Sequence, residues 1–276
     1  MRILIIGSGG REHALAYSIA KSKQVSALYC IGENAGISSL ATMVPLALSA
    51  HQEIASFAIE HAIDFAVIGP DEALVNGLAD VLEGQGIPCF GPSKQASRLE
   101  GSKAFAKAFM ERNHIPTPSY RVFTDIDEAR SFLTQCSFPV VIKADGLALG
   151  KGVIIAVTKD EAEQTLEAMM VKQIFASSGQ TVVIEEFVRG EEVSLLVLTD
   201  GNHVKPLVSC MDHKRVFDGD LGPNTGGMGV IAPNPFYTDS VASLCMERIV
   251  LPTIAALQRE GTPFVGCLFF GLMLTQ

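Results

Sequence analysis

Four groups of residues in this 276-residue chain have the types and spacing that binding a phosphate-bearing ligand requires. The first is Gly7-Ser8-Gly9-Gly10-Arg11-Glu12-His13, where an apolar run turns into a helical pattern. Glycines there let backbone N–H groups approach an anion, and the helix N-terminus adds positive potential. A dinucleotide fingerprint needs glycine where Glu12 stands, although Glu33 lies near the ribose-binding distance of about 20 residues. Arg11 suits a terminal phosphate better than a pyrophosphate, and a structural tight turn is the alternative. The second group is the loop Asp145-Gly146-Leu147-Ala148-Leu149-Gly150-Lys151-Gly152, with Lys143 on the preceding strand. A GxxxxGK[ST] P-loop needs one more residue between the glycines and a hydroxyl after the lysine, so that class is disfavoured. A glycine-rich loop between antiparallel strands can still cover phosphates, as in kinases. Lys143 shares a strand face with Val141, half-buried as a phosphate-holding charge should be. A solvated hairpin tip is the competing account.

The third group runs from Val182 through Glu185, Glu186 and Val188 to Glu192 and Ser194. Two adjacent carboxylates ending an apolar strand suit a hinge whose backbone reads an adenine edge while Glu192 accepts ribose hydroxyls; an acidic solvated turn has the same composition. The fourth is Asp212-His213-Lys214-Arg215, followed by a glycine-dense stretch to Gly229 that contains Asn224, Thr225 and Gly226. Its two consecutive basic residues can hold a phosphate and a small zwitterion through charge-assisted hydrogen bonds. It reads as a long surface loop, and loops beyond about 12–15 residues are uncommon unless functional. No His/Cys/Asp cluster at zinc spacing and no GxSxG nucleophile appears in the sequence.

The elements that must position these groups follow from apolar patterning. Strands at 2–6, 27–31, 64–68 and 87–90 alternate with helices at 12–20, 52–61 and 72–84, which predicts a parallel sheet covered on both faces. The Gly91-Pro92-Ser93 turn starts another helix, and the first domain ends near residue 101. The second half has strands at 139–143 and 153–157 joined by the glycine loop, a helix at 159–171, and strands at 181–188, 192–199, 203–211 and 264–274. This is an α+β texture, with a small flap subdomain near 121–190 and a larger lobe from 191 to 276. The expected fold class is therefore α/β, a Rossmann-like parallel-sheet domain followed by an α+β domain.

Composition narrows the partners. Apolar residues make up 48% and charged residues 18%, which excludes a disordered chain. The net charge of −9 gives no overall field for phosphate backbones or anionic lipid, so nucleic acid and membrane surfaces are not expected partners. The longest apolar stretch, 264–274, falls short of the roughly 18 residues of a membrane helix. Six cysteines without a CxxC pair read as reduced thiols in the cytoplasm.

The four groups in this order, with LEGSKAF at 99–105, VIKADGLALGKGV at 141–153, IEEFVRGEEVS at 184–194, DHKRVFDGD at 212–220 and GPNTGGMG at 222–229, resemble the ATP-grasp superfamily. Within it the chain is similar to the phosphoribosylamine–glycine ligase (glycinamide ribonucleotide synthetase) family. The resemblance implies an ATP-grasp fold and a carbon–nitrogen ligase of purine synthesis, using ATP with Mg²⁺ or Mn²⁺. Lys103 and Lys143 would contact phosphates under the 146–152 loop, with Gly146, Gly150, Lys151 and Gly152 covering them. Glu185, Glu186 and Val188 would face adenine, and Glu192 the ribose. Gly9, Gly10, Arg11, Asn34, Gly36, Gly69, Pro70 and Asp71 would bind 5-phosphoribosylamine. The 212–229 segment would line the place where glycine meets the γ-phosphate, with Asp212, Lys214 and Arg215 catalytic and Asn224, Thr225 and Gly226 binding substrate.

The chain departs from the family at Glu33, where Pro-Gly usually precedes Asn-x-Gly, and at Asp71, where Glu is usual. It also reaches Gln276 ahead of the Glu-x-Asn element that holds Mg²⁺ in the family. The resemblance therefore predicts no metal ligand up to residue 276, little turnover, a monomer in the intact family, and a 264–274 strand open to self-association. Two other classes remain: a nucleotide-dependent oxidoreductase, which tight NADH binding would mark, and a non-catalytic metabolite-binding module, which binding without turnover would mark. Another purine-pathway ATP-grasp enzyme is the nearest competitor, and glycine-dependent ADP release excludes it.

Overall fold

The computed structural model describes residues 1–148, 151–219 and 221–275, with the side chains of Pro223 and Asn224 set aside. The chain forms two compact units: Met1–Ser97 with Thr199–His203 and Leu257–Cys267, and Arg98–Leu198 with Val204–Ala256 and Leu268–Gln276. The division is not one cut, because the chain returns twice to the first unit.

The first unit is built on a five-stranded parallel sheet. Its strands are β1 (Arg2–Ile6), β2 (Ala27–Ile31), β3 (Thr42–Val44), β4 (Phe65–Ile68) and β5 (Cys89–Phe90), in the order β3-β2-β1-β4-β5. β1 is central because Leu4, Ile5 and Ile6 are wholly buried on both faces. Leu4 and Ile6 pack with Ile54, Ala55 and Ala58 of α2 (His51–Glu60), Ala73 of α3 (Asp71–Val75) and Leu78 and Leu82 of α4 (Leu78–Glu83). Ile3 and Ile5 pack on the opposite side with Ala16 of α1 (Gly10–Ile19). Each such aliphatic side chain, fully buried, contributes about 1.5–3 kcal/mol.

Two differences from the sequence reading stand here. Strand β3 escaped it because three residues carry too little periodicity. The single helix expected over 72–84 is two, broken at Asn76-Gly77, where Gly77 has φ +91°. That left-handed conformation is costly for a residue with a Cβ.

The second unit holds an antiparallel four-stranded sheet, β6-β9-β7-β8, from β6 (Tyr120–Phe123), β7 (Val140–Ala144), β8 (Val153–Ala156) and β9 (Val182–Glu186). Alternation along β7 turns Val140, Ile142 and Ala144 inward. They pack with Ala129 and Leu133 of α7 (Ile126–Leu133) and Ala162 and Leu166 of α8 (Lys159–Leu166). Two helices precede this sheet, α5 (Arg98–Gly101) and α6 (Lys103–Arg112).

A second sheet has the order β11-β10-β14, from β10 (Glu191–Asp200), β11 (Val204–Pro206) and β14 (Val265–Leu274). β11 is shorter than the strand expected over 203–211; it ends at Pro206, which lacks an N–H for the ladder. The segment read as a loop from 212 to 229 is instead a two-stranded antiparallel ribbon, β12 (Met211–Phe217) with β13 (Leu221–Ile231). Its register shifts on either side of Arg215, and its glycines hide the strand signal because glycine packs no cross-strand side chain.

The helix from Asp239 to Arg259 comprises α9 (Asp239–Cys245), a π-helical turn and α10 (Leu251–Arg259). Its 21 residues, with mean hydropathy 1.5, are long and apolar enough to cross a membrane by length and composition. That qualifies the sequence reading, which considered only uninterrupted apolar runs; Val250 of this helix packs with Leu195 and Val197.

All six cysteines are free, with Cys30, Cys89 and Cys245 buried. Burial pushes the Cys30 thiol up to about 11 and the Cys89 thiol up to about 12, with nearby Glu12 and Glu83 adding to it. Both are therefore expected to resist iodoacetamide at pH 8 in the native protein and to react after unfolding, as peptide mass spectrometry would read. Native alkylation of Cys89 would show that its site opens. Gly77→Ala is expected to lower stability by about 1 kcal/mol in a urea titration. An unchanged midpoint would assign the helix break to Asn76.

Candidate functional site

In the first unit the organising side chain is Glu12, buried to 3% exposure at the start of α1. Its Oε2 accepts from the Gly9 N–H at 2.7 Å, and its Oε1 from Arg11 Nε at 3.0 Å. Arg11 Nη2 donates to the Gly69 carbonyl at 2.6 Å. A Cβ at Gly69 would run into the Glu12 carboxylate, so glycine is required there by close approach rather than by φ. The residue that breaks the dinucleotide fingerprint is thus the one that fills the space between the two turns. Asn34 closes the neighbouring loop: its amide nitrogen donates to the Ser8 carbonyl at 2.8 Å, and its oxygen accepts from the Gly36 and Ile37 N–H groups. The His13 ring covers Gly36. Gly9 and Gly10 begin α1, and Pro70 and Asp71 begin α3, so the candidate anion-binding residues of this unit sit at strand-to-helix turns.

In the second unit the register of β7 against β9 pairs Val141 with Glu185 and Lys143 with Val183, placing Lys143 and Glu185 diagonally on one face. Lys143 Nζ lies 2.8 Å from Glu185 Oε2, and Lys107 Nζ, from α6, lies 3.1 Å from the same oxygen. Glu185 and Lys107 are 4% and 7% exposed at the side chain, while Lys143 is 26% exposed. Lys107 also donates to Thr117 Oγ1 at 2.8 Å and to the Pro118 carbonyl at 3.4 Å. Burial pulls its ammonium pKa below the usual lysine range, opposed by Glu185. Glu185 Oε1 is buried and has no hydrogen-bond partner among the described residues.

Sequence reading missed Lys107. The signal was its place four residues after Lys103, which sets both lysines on one face of α6. It named Asp145 as the start of the glycine loop but gave it no role. Ser102, the N-cap of α6, accepts from the Phe105 N–H, and its hydroxyl donates to Asp145 at 3.1 Å. Asp145 Oδ1 accepts from the Ala104 N–H at 2.6 Å, and the Asp145 carbonyl from the Lys103 N–H at 3.0 Å. The glycine loop is thereby rooted on a helix N-terminus. Lys103 Nζ reaches the Gly146 carbonyl at 2.9 Å, and burial lowers its pKa. Gly146 lies against Ser178, Gly152 is buried and Lys151 is exposed. Gly150 lies outside the described residues.

Glu186 is exposed, and its Oε1 accepts from the Ser119 N–H at 2.8 Å. β9 ends there, so Val188, half-buried, follows the strand rather than lying in it. Glu192 is paired with Lys214, which also lies 3.9 Å from Asp212. Arg215 donates to the Gly222 carbonyl, and Thr225 Oγ1 to the Lys214 carbonyl at 2.9 Å. The ribbon thus presents Asp212, Lys214, Arg215, Thr225 and Gly226 from paired strands, while the Asn224 side chain lies outside the described part. Among the described residues no three His, Cys, Asp or Glu side chains converge on a metal position.

A parallel-sheet unit followed by an antiparallel sheet whose lysines and glutamate stand beside a glycine loop defines an ATP-grasp protein. The same fold occurs in N5-carboxyaminoimidazole ribonucleotide synthetase from Thermus thermophilus, 20% identical, with TM-score 0.69 over 99% of this chain and 68% of that one. The chain belongs to the phosphoribosylglycinamide synthetase family: residues 1–100 match "Phosphoribosylglycinamide synthetase, N domain" and residues 101–276 match "Phosphoribosylglycinamide synthetase, ATP-grasp (A) domain". Phosphoribosylamine–glycine ligase from Clostridium acetobutylicum is 46% identical over 100% of this chain and 66% of its own length. That from Rhizobium meliloti is 47% identical over 100% and 65%. The crystal structure of phosphoribosylamine–glycine ligase from Thermotoga maritima superposes with TM-score 0.85 at 34% identity, covering 100% of this chain and 66% of that one. The chain therefore spans just under two thirds of the length of these relatives.

The rooted loop yields a test. Asp145→Ala is expected to cost about 2 kcal/mol and to speed amide exchange at Ala104, whose N–H loses its acceptor. Unchanged exchange there would show that Ser102 alone holds the end of α6.

Proposed function

We propose that this chain carries the sugar-phosphate-binding and nucleotide-binding parts of a phosphoribosylamine–glycine ligase. The reaction joins glycine to 5-phosphoribosylamine and cleaves ATP to ADP and phosphate. The observation that carries the reading is the pairing of Lys107 and Lys143 with Glu185, with Lys103 on the Gly146 carbonyl of the glycine loop, in a chain 44–47% identical along its length to enzymes of that name. Lys103 and Lys143 hold phosphates as point charges under the loop of Gly146, Gly150, Lys151 and Gly152. Glu185, Glu186 and the backbone at Val188 read adenine, and Glu192 accepts the ribose hydroxyls once Lys214 releases it. Lys214 and Arg215, steadied by Asp212, stabilise charge on the transferring phosphoryl group and the glycine carboxylate; Asn224, Thr225 and Gly226 orient the glycine.

The carboxylate oxygen attacks the γ-phosphorus and ADP leaves, giving glycyl phosphate. The sugar amine then attacks the acyl carbon, an amide bond forms, and phosphate leaves with the amine losing a proton. Gly9, Gly10 and Arg11 take the sugar phosphate at the N-terminus of α1, in a loop shaped by Asn34, Gly36, Gly69, Pro70 and Asp71. Mg²⁺ or Mn²⁺ accompanies the nucleotide; no residue of this chain is assigned to it. Six free thiols accord with the cytoplasm as its compartment.

Calorimetry with MgATP tests the nucleotide half. The wild-type chain is expected to bind, and Lys143→Ala to bind at least about tenfold more weakly, the loss of one charge-assisted contact. Calorimetric binding of glycine, to the exclusion of other amino acids, by the chain loaded with a non-hydrolysable ATP analogue tests the substrate half. Equal affinity in Lys143→Ala would remove Lys143 from the phosphate site.

A further inference from the structure

We propose that Lys107 is a positioning residue of the nucleotide site: as the resident counter-ion of Glu185, it leaves the charge of Lys143 available to a polyphosphate. This inference rests on the ATP reading above. Three charged groups share one carboxylate oxygen's neighbourhood, and their sum is one positive charge. The two lysines are not equivalent. The ammonium of Lys107 has three donors and three acceptors, Glu185, Thr117 Oγ1 and the Pro118 carbonyl, so it is saturated where it lies. It is also buried, and with all three donors engaged it stays on Glu185 rather than turning to a ligand.

Lys143 has Glu185 as its one acceptor among the described residues and is the most exposed of the three. Without Lys107, Lys143 and Glu185 would form a neutral pair at 2.8 Å, whose field falls off as a dipole's rather than as a charge's. With Lys107 the pair is over-compensated by one charge, and the partly exposed Lys143 ammonium is where that charge meets solvent. The division of labour is thus one lysine for the carboxylate and one for the ligand.

A ratio of affinities isolates this effect from general loosening of the site. MgATP and adenosine share the base and ribose, so the ratio of their dissociation constants reports on the phosphates alone. Lys107→Met is expected to lower the adenosine-to-ATP ratio about tenfold, equivalent to one ammonium–phosphate interaction. Lys107→Met combined with Glu185→Gln leaves Lys143 with no carboxylate paired to it and is expected to return the ratio to within about threefold of wild type. A merely structural lysine predicts weaker binding of both ligands with the ratio unmoved. A folded Lys107→Met chain with a wild-type ratio overturns the proposal, as does a double variant whose ratio stays as low as that of Lys107→Met.

Lys107→Met leaves Glu185 partly uncompensated in a buried place and can unfold the unit. In that case the double variant, which leaves no unmatched carboxylate in the buried place, decides the matter by the same ratio. A wild-type chain that binds no ATP would overturn the ATP reading itself, a result distinct from any change among the variants.

Discussion

A carboxylate buried to 4% exposure must have cations around it or lose its charge, and much of the second unit is arranged to meet that demand at Glu185. Lys143 can reach it only if β7 and β9 keep the register that sets Val141 opposite Glu185, and a slip by one residue would turn both side chains to the other face. Lys107 can reach it only if α6 lies across that face, and the hydrogen bonds of Ser102 and Asp145 fix where α6 begins. The apolar face of the sheet, packed by α7 and α8, carries the hydrophobic stabilisation, while the charged face specifies the alignment.

The first unit meets a similar demand at smaller scale. Glu12 is buried at a helix start, where the Gly9 N–H lacks an intrahelical partner and a carboxylate is favoured by the helix dipole. The bond to Arg11 and the cover given by Gly69 and Pro70 complete its surroundings. This leaves the backbone of Gly10 unencumbered by any side chain within 4 Å of where its own would be.

The parallel sheet was legible because β1, β2 and β4 are short apolar runs ended by glycine or followed by helical spacing, and burial on both faces leaves no other reading. The glycine loop, Lys143 and the Glu185–Glu186 pair stood out by residue type and spacing, although a solvated hairpin tip and an acidic turn have the same composition. Lys107 was not, because a lysine on a helix reads as solvated unless the neighbouring element is known. The role of Asp145 was hidden for the same reason: its partners lie 41–43 residues away along the chain. The β12–β13 ribbon was misread as a loop because its strength lies in ladder bonds and in contacts such as Thr225 to the Lys214 carbonyl, which five glycines conceal from any pattern of side-chain types.

The contact between Gly69 and Glu12 also bears on how such a turn can change over evolutionary time. A side chain at position 69 collides with the carboxylate, and a shorter residue at position 12 strands the Gly9 N–H and releases Arg11. Each single step disrupts one of these contacts even if some double replacement packs well. The two positions form a locked pair separated from other solutions by a valley, so alternative turns are reachable through simultaneous substitution at 12 and 69 and stay invisible to a scan that visits one position at a time.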